Sequence, residues 1–415
     1  MPIRLRAAFA PIAVLVLAAC GAAPSPSVAP PVSASSSASE VPSSAPSVAT
    51  GLPDVPDGAL YYPSVDAVAT SKPGELLQVF ELKAPTGTRA WFVVYGSTGL
   101  DGKPVAVSGL VLAPEAAPDE GGHMVVAWAH GTTGVADICA PSKTGLASIP
   151  AEISGLVGEG YVVTATDYEG LGTNGVHPYL VGISEGRSVL DSIRAVQALA
   201  DAHAAADSVV IGLSQGGHAA LWAAELAPSY APGLSLLGAL AASPPTSLVA
   251  WDTWAFHQAA AGSLEAAEPP LLLFGVYNAI YDAPLNFLTN AGRQSALAGR
   301  DGCSPPPVST SPYLRDPAEL PEWKKLLTRN SPGLALTPVP IRAVSPKADQ
   351  AVPYDSQLAG LATLCSIGDT MELRSVEGDH DASFSTPSAW SDATAWIHDR
   401  FAGVEAVTTC APRPT

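Results

Sequence analysis

The chain has 415 residues, 47% of them hydrophobic and 14% charged, so it can bury the core of one or two globular domains and is not disordered as a whole. Its net charge of −18 and pI of about 4.7 come from scattered acidic residues with no Lys/Arg cluster. That balance argues against nucleic acid as a partner, because phosphates need a basic footprint.

The first elements are targeting signals. Arg4 and Arg6 precede an apolar run from Ala7 to Ala19 that is short for a membrane span, which predicts a signal peptide over 1–19. Leu17-Ala18-Ala19-Cys20 is similar to a bacterial lipobox, in which the cysteine becomes lipidated. The expected location is therefore exported: a cell-envelope lipoprotein anchored at Cys20, or a secreted protein if an ordinary Ala-x-Ala-like site is cut instead. Membrane contact is expected only through that anchor. Residues 20–51 are nearly all Ala, Pro, Ser and Val, too poor in large apolar side chains to offset chain entropy, and read as a disordered tether.

Residues 52–415 read as the folded part. "ELLQVFELKAP", "TRAWFVVYGSTG" and "AVSGLVLAPEA" predict three antiparallel strands with turn residues between them. "HMVVAWAHG", "GYVVTATDYEG", "DSVVIGLSQGG", "LLGALAASPP", "VPIRAVSP" and "TMELRSVEG" are short apolar runs typical of strands buried on both faces. Helical patterns alternate with them at Ala147 to Glu159, Ser184 to Ala202, Gly217 to Leu226, Tyr354 to Ser366 and Ser388 to Phe401. The alternation predicts an α/β fold, a mostly parallel central sheet with helices on both faces. Between Pro244 and Pro338 no strand is apparent among many aromatic and alanine residues. A structureless stretch of that length is implausible in a compact domain, so a helical insertion at about 246–337 is expected, capping the carboxyl edge of the sheet.

The chemistry starts at Gly212-Leu213-Ser214-Gln215-Gly216. This G-x-S-x-G lies between a strand and a helix, where a sharp turn exposes the serine hydroxyl and leaves no room for side chains at the flanking positions. Alone the pattern is weak in a chain with 37 glycines; its setting makes it specific. The Gln215 N–H, at the start of the new helix, is a candidate oxyanion donor. In such folds the base follows the serine in sequence. Of the eight histidines, His218, His257, His380 and His398 do so. His218 points along the helix behind the serine, His257 falls in the insertion and His398 within a helix. His380, in the loop after "TMELRSV", is the candidate base, and Asp349, after "VPIRAVSP", its orienting acid. Asp355 begins the next helix, where an acid has a structural explanation, and Asp379 and Asp381 are too near His380 to brace it. His130-Gly131-Thr132-Thr133-Gly134 follows another strand and offers Gly131 or Thr132 as second oxyanion donor. "DYEGLGTNG", from Asp167, is a further loop on that edge that either shapes the pocket or only turns the chain. Cys139, Cys303, Cys365 and Cys410 suggest two disulfides with three possible pairings, and their spacing matches no zinc pattern.

Five segments, "AWAHGTTGVADICAPS", "GYVVTATDYEGLGTNGVHPYLVGISEGRSVLDSIRA", "GLSQGGHAALWAAE", "SPKADQAVPY" and "GDHDAS", together make the chain resemble the secretory lipase family of fungi and actinobacteria. These are α/β-hydrolases that cleave triacylglycerols and simpler esters. The resemblance implies Ser214, Asp349 and His380 as the triad, a helical cap, and disulfides joining Cys139 to Cys303 and Cys365 to Cys410. The lipobox and tether depart from the family pattern. The expectation is a serine carboxylic ester hydrolase, a triacylglycerol lipase or esterase working through an acyl-enzyme, with a lipid or ester substrate and no metal or organic cofactor. The alternatives are an acyltransferase or peptidase on the same triad, or a non-catalytic lipoprotein that binds apolar ligands. Oligomeric state is not legible.

Overall fold

The computed structural model describes residues 62–118 and 120–411, so the signal segment 1–19, Cys20 and the tether at 20–51 lie outside the described residues. The strands are β1 (Leu76–Leu82), β2 (Thr88–Thr98), β3 (Pro104–Pro114), β4 (His123–Ala129), β5 (Val162–Thr166), β6 (Ala204–Leu213), β7 (Ser235–Ala242), β8 (Ile341–Pro346) and β9 (Met371–Val376). They form one sheet in the order β1-β2-β3-β5-β4-β6-β7-β8-β9. The pairs β1–β2, β2–β3 and β3–β5 are antiparallel, and every pair from β5–β4 to β8–β9 is parallel. The longer helices are α1 (Gly182–Ala198), α2 (Gln215–Tyr230), α3 (Leu248–Ala261), α4 (Glu268–Tyr281), α5 (Asn290–Gly299), α6 (Pro321–Arg329), α7 (Tyr354–Ile367) and α8 (Pro387–Phe401).

Side-chain alternation along β4 shows why its sequence is apolar throughout. Val125, Ala127 and Ala129 pack with Val189, Leu190 and Ile193 of α1 and Ala219, Ala220 and Ala223 of α2. Val126 and Trp128 face the other way, onto Ile149, Ile153, and Trp396 and Ile397 of α8. Because β4 lies between β5 and β6, the chain leaves it to one side and later returns on the other. Loops after β4 and β6 therefore diverge around a crevice at the carboxyl end of the sheet, where such folds gather ligands.

Between β7 and β8 the chain is helical: α3 to α6 with short 3₁₀ turns at Leu264–Ala267 and Pro317–Glu319. Ser247 and Thr289 cap α3 and α5, their side chains accepting from the N–H groups of Ala250 and Gly292. This insertion has its own aromatic core, with Phe274 edge-on to Phe287 at 5.0 Å and to Trp323 at 5.1 Å. The same cluster takes in Tyr179, Leu180, Val181 and Val352 from the loops at the sheet's carboxyl edge.

Two helical expectations need correction. Residues 147–159 are not one helix: a 3₁₀ segment ends at Ser148, Pro150 starts a short helix over Ala151–Gly155, and 3₁₀ geometry follows over Leu156–Glu159. Proline has no N–H to continue the earlier turn, so the run divides there. The helix expected over Gly217 to Leu226 spans Gln215–Tyr230 instead, starting directly at the turn.

Asp252 of α3 is buried, and neither carboxylate oxygen has a hydrogen-bond partner among the described residues. Burial pushes its pKa well above the usual carboxylate range, and nearby Asp316 adds to the rise. A raised folded-state pKa contributes stability that is present below the unfolded value, about 3.9, and is lost as pH rises towards the folded value. Asp252→Asn is therefore expected to gain on the wild type in urea unfolding between about pH 5 and about pH 8. A stability difference that is the same at both pH values would contradict this.

Candidate active site

Ser214 stands alone between β6, which ends at Leu213, and α2, which begins at Gln215, with φ 58° and ψ −119°. A non-glycine residue in that region is strained, and the surroundings hold it there. Its N–H donates to the Ala242 carbonyl at 2.8 Å and its own carbonyl accepts from the His218 N–H at 3.0 Å. The flanking glycines are required by close approach: a Cβ at Gly212 would lie 2.1 Å from the Gly216 oxygen, and one at Gly216 would lie 1.8 Å from the Ala129 oxygen. The turn is thus pressed against the end of β4, and its hydroxyl faces the crevice.

His380 and Asp349 meet across the ends of β9 and β8. His380 Nδ1 lies 2.8 Å from Asp349 Oδ2, which also accepts from Gln357 Nε2 at 3.0 Å. Asp349 Oδ1 accepts from the N–H groups of Ala351 and Val352 at 2.9 and 2.8 Å. With both oxygens committed and the side chain fully buried, the carboxylate has one orientation and fixes Nδ1 as the protonated nitrogen of the ring. His380 keeps 22% exposure and, with Ser214, Gln215, Gly131 and Thr132, lines a cavity of about 300 Å³. Tyr179, Leu180, Val352 and, from the insertion, Trp251 and Pro269 supply most of its apolar wall.

The loop after β4 is held from behind. Tyr168 donates its hydroxyl to the His130 carbonyl at 2.9 Å and packs its ring, tilted by 38°, 4.5 Å from the imidazole. Thr132 Oγ1 shares a 2.9 Å hydrogen bond with the Tyr179 hydroxyl. Asp167 accepts from the Ser142 N–H at 2.9 Å, from Ser108 Oγ at 2.6 Å and from Ser142 Oγ, against a burial that raises its pKa. The loop beginning at Asp167 therefore braces the His130–Gly134 loop from outside the cavity. Cys139 and Cys303 are bonded, tying this region to the end of α5, and Cys365 of α7 is bonded to Cys410.

Most of the remaining candidates stand elsewhere. His257 is exposed, and His398 pairs with Glu159 at 2.8 Å on the surface. Asp355 and Asp379 are exposed, and Asp381, also exposed, lines the same cavity as Ser214 and His380. His218 is buried beneath the turn with Nδ1 2.7 Å from Glu185 Oε2. Sequence reasoning missed Glu185 and His177, which both contact Gln215. A signal for Glu185 existed: at helical spacing it shares a face with Val181, Ser188, Val189 and Ser192, all buried, where an acid needs a partner.

A model of the family described as "Secretory lipase" matches residues 144–282, a stretch holding His177, Glu185 and Ser214 but ending before Asp349 and His380. "Lipase A" of Moesziomyces aphidis is 32% identical over 186 residues, covering 42% of this chain and 37% of the relative. "Secreted triacylglycerol lipase LIP4" of Malassezia globosa is 27% identical over 353 residues, covering 77% and 74%. Over residues 144–282 the chain is similar to the secretory lipase family. The fold is shared with the closed-state structure of Candida antarctica lipase A, which superposes with a TM-score of 0.66 at 21% identity, over 86% of this chain and 88% of that one. The chain spans 37% of the length of Lipase A, and its reaction is argued from the site.

The clash at Gly216 yields a direct test. Gly216→Ala is expected to destabilise the protein by roughly 1 to 3 kcal/mol or more in urea unfolding, as for other overpacked sites. A change below about 0.5 kcal/mol, the range of an ordinary surface substitution, would mean the turn is not pressed against β4.

Proposed function

We propose that the protein is a serine carboxylic ester hydrolase of lipase type, exported and held at the cell envelope by lipid on Cys20. The observation that carries the reaction is the shared cavity: Ser214 on a strained turn and His380, braced by Asp349 at 2.8 Å, face the same apolar-walled space. Ser214 Oγ attacks the ester carbonyl while His380 Nε2 takes its proton. Asp349 holds Nδ1–H and stabilises the imidazolium. The oxygen of the tetrahedral intermediate is met by the N–H of Gln215 and by that of Gly131 or Thr132. Collapse expels the alcohol, which takes the proton from His380 and leaves an acyl group on Ser214. Water then attacks that acyl group by the same route, returning a carboxylic acid and free serine.

The wall formed by Leu180, Trp251, Val352 and Pro269 suits an acyl chain, which gains about 0.8 kcal/mol for each CH₂ removed from water. The relatives named as secreted triacylglycerol lipases support both this substrate class and export. The apolar run before Cys20 supports the anchor.

One fractionation tests both parts. Activity on p-nitrophenyl esters and on emulsified triacylglycerol should follow the membrane fraction for the wild type and the soluble fraction for Cys20→Ser. For Ser214→Ala it should fall by roughly 10⁴-fold or more. Full activity in Ser214→Ala would refute the mechanism, a steep fall beyond short acyl chains would leave an esterase rather than a lipase, and turnover of amides in preference to esters would point to a peptidase.

A further inference from the structure

Glu185 of α1 is fully buried, yet every bond it makes runs to another part of the site. Its Oε1 accepts from the Leu180 N–H and from Gln215 Nε2, both at 2.9 Å. Its Oε2 faces His218 Nδ1 at 2.7 Å, and His218 Nε2 lies 2.7 Å from the Asn330 carbonyl, to which it must donate. On the far side of Gln215, His177 Nδ1 donates to the Glu169 carbonyl at 2.8 Å, leaving a bare Nε2 that accepts from Gln215 Nε2 at 2.9 Å. Burial holds the His177 pKa down at about 4, so the ring keeps that acceptor at neutral pH.

These partners leave the Gln215 amide one orientation. Both of its hydrogens are committed, to Glu185 and to His177, and turning it over would set its oxygen against the Glu185 carboxylate. Through the other bonds the same carboxylate reaches Leu180 in the cavity wall and, by way of His218, the segment where the insertion leaves α6 at Asn330. A buried acid–imidazole pair is a poor source of stability, since apolar side chains of similar volume often stabilise as much. What it supplies is direction.

We propose that Glu185 is a positioning residue for ester hydrolysis, holding Gln215 in register as oxyanion donor and clamping the Leu180 wall to the nucleophile turn. The inference rests on reading Ser214 as nucleophile and Gln215 as donor. It leaves the chemistry to those residues and assigns Glu185 the geometry.

The test compares Glu185→Ala, Glu185→Gln and Gln215→Ala in the full-length protein, with kcat expressed per active site titrated by an organophosphonate. Glu185→Ala should lose about a hundredfold in kcat, the size of effect that follows loss of one oxyanion donor, with KM changed by less than about threefold. Glu185→Gln keeps the acceptor for Leu180 and Gln215 and can donate to His218; it should recover kcat to within about tenfold of wild type. Adding Glu185→Ala to Gln215→Ala should cost little more, because the two act through one link. A purely structural role would lower the yield of titratable sites and leave kcat per site unchanged, and that result would overturn the proposal. So would a Glu185→Gln variant no better than Glu185→Ala. Should Glu185→Ala fail to fold, Gln215→Ala cuts the same link from the other end with the same expected loss, and an unchanged kcat there would overturn the proposal equally. An inactive wild type would refute the hydrolase reading itself, which separates the two failures.

Discussion

The close approach of two backbones, at Gly216 and Ala129, governs the rest of this structure. A helix can begin one residue after a strand only if its first turn lies against the neighbouring strand, and at 1.8 Å from the Ala129 oxygen there is no place for a Cβ. That contact sets the positive φ of Ser214, lifts its hydroxyl above the sheet, and brings the Gln215 end of α2 beside the loop after β4. Everything else in the site is arranged around a serine whose backbone has no freedom to move.

The supporting groups fall into two sets on either side of this turn. On one side Asp349, with four hydrogen bonds, holds His380. On the other, Glu185, His177 and His218 hold Gln215, the Leu180 wall and Asn330 of the insertion. In the proposed reaction the first set would direct the proton acceptor and the second the hydrogen-bond donors towards the place where charge would develop. Both use buried charged or polar side chains, which cost desolvation; both oxygens of Asp349 and of Glu185 have partners, whereas Gln215 Oε1 and Gln357 Oε1 have none among the described residues. The insertion contributes Trp251 and Pro269 to the cavity wall, while Phe274, Phe287 and Trp323 pack among themselves in its own core.

Much of this was legible in the sequence because short-range rules act at the positions concerned. The central strands β4 and β5 are continuous apolar or small-residue runs, and a parallel sheet buried on both faces has that signature, whereas β9 is half exposed. Ser214, Asp349 and His380 each follow such a run, so their placement at one sheet edge could be read from order alone. Less was legible where several weak preferences compete. Residues 147–159 have helical composition, but Pro150 divides them into short turns. Glu185 and His177 could not be paired with Gln215 from sequence, since they lie in separate segments brought together only by how α1 packs on α2. The helix expected from Ser184 to Ala202 contains Glu185 without marking it, and only its burial in the fold shows an acid that needs a partner.

The central claim is that Ser214 is the nucleophile, and covalent labelling tests it most directly. Folded, oxidised wild-type protein treated with a fluorophosphonate should gain one adduct by intact mass, and peptide mapping should place it on Ser214, with labelling lost in His380→Ala. An adduct on another serine, or none on protein that hydrolyses esters, would contradict the account.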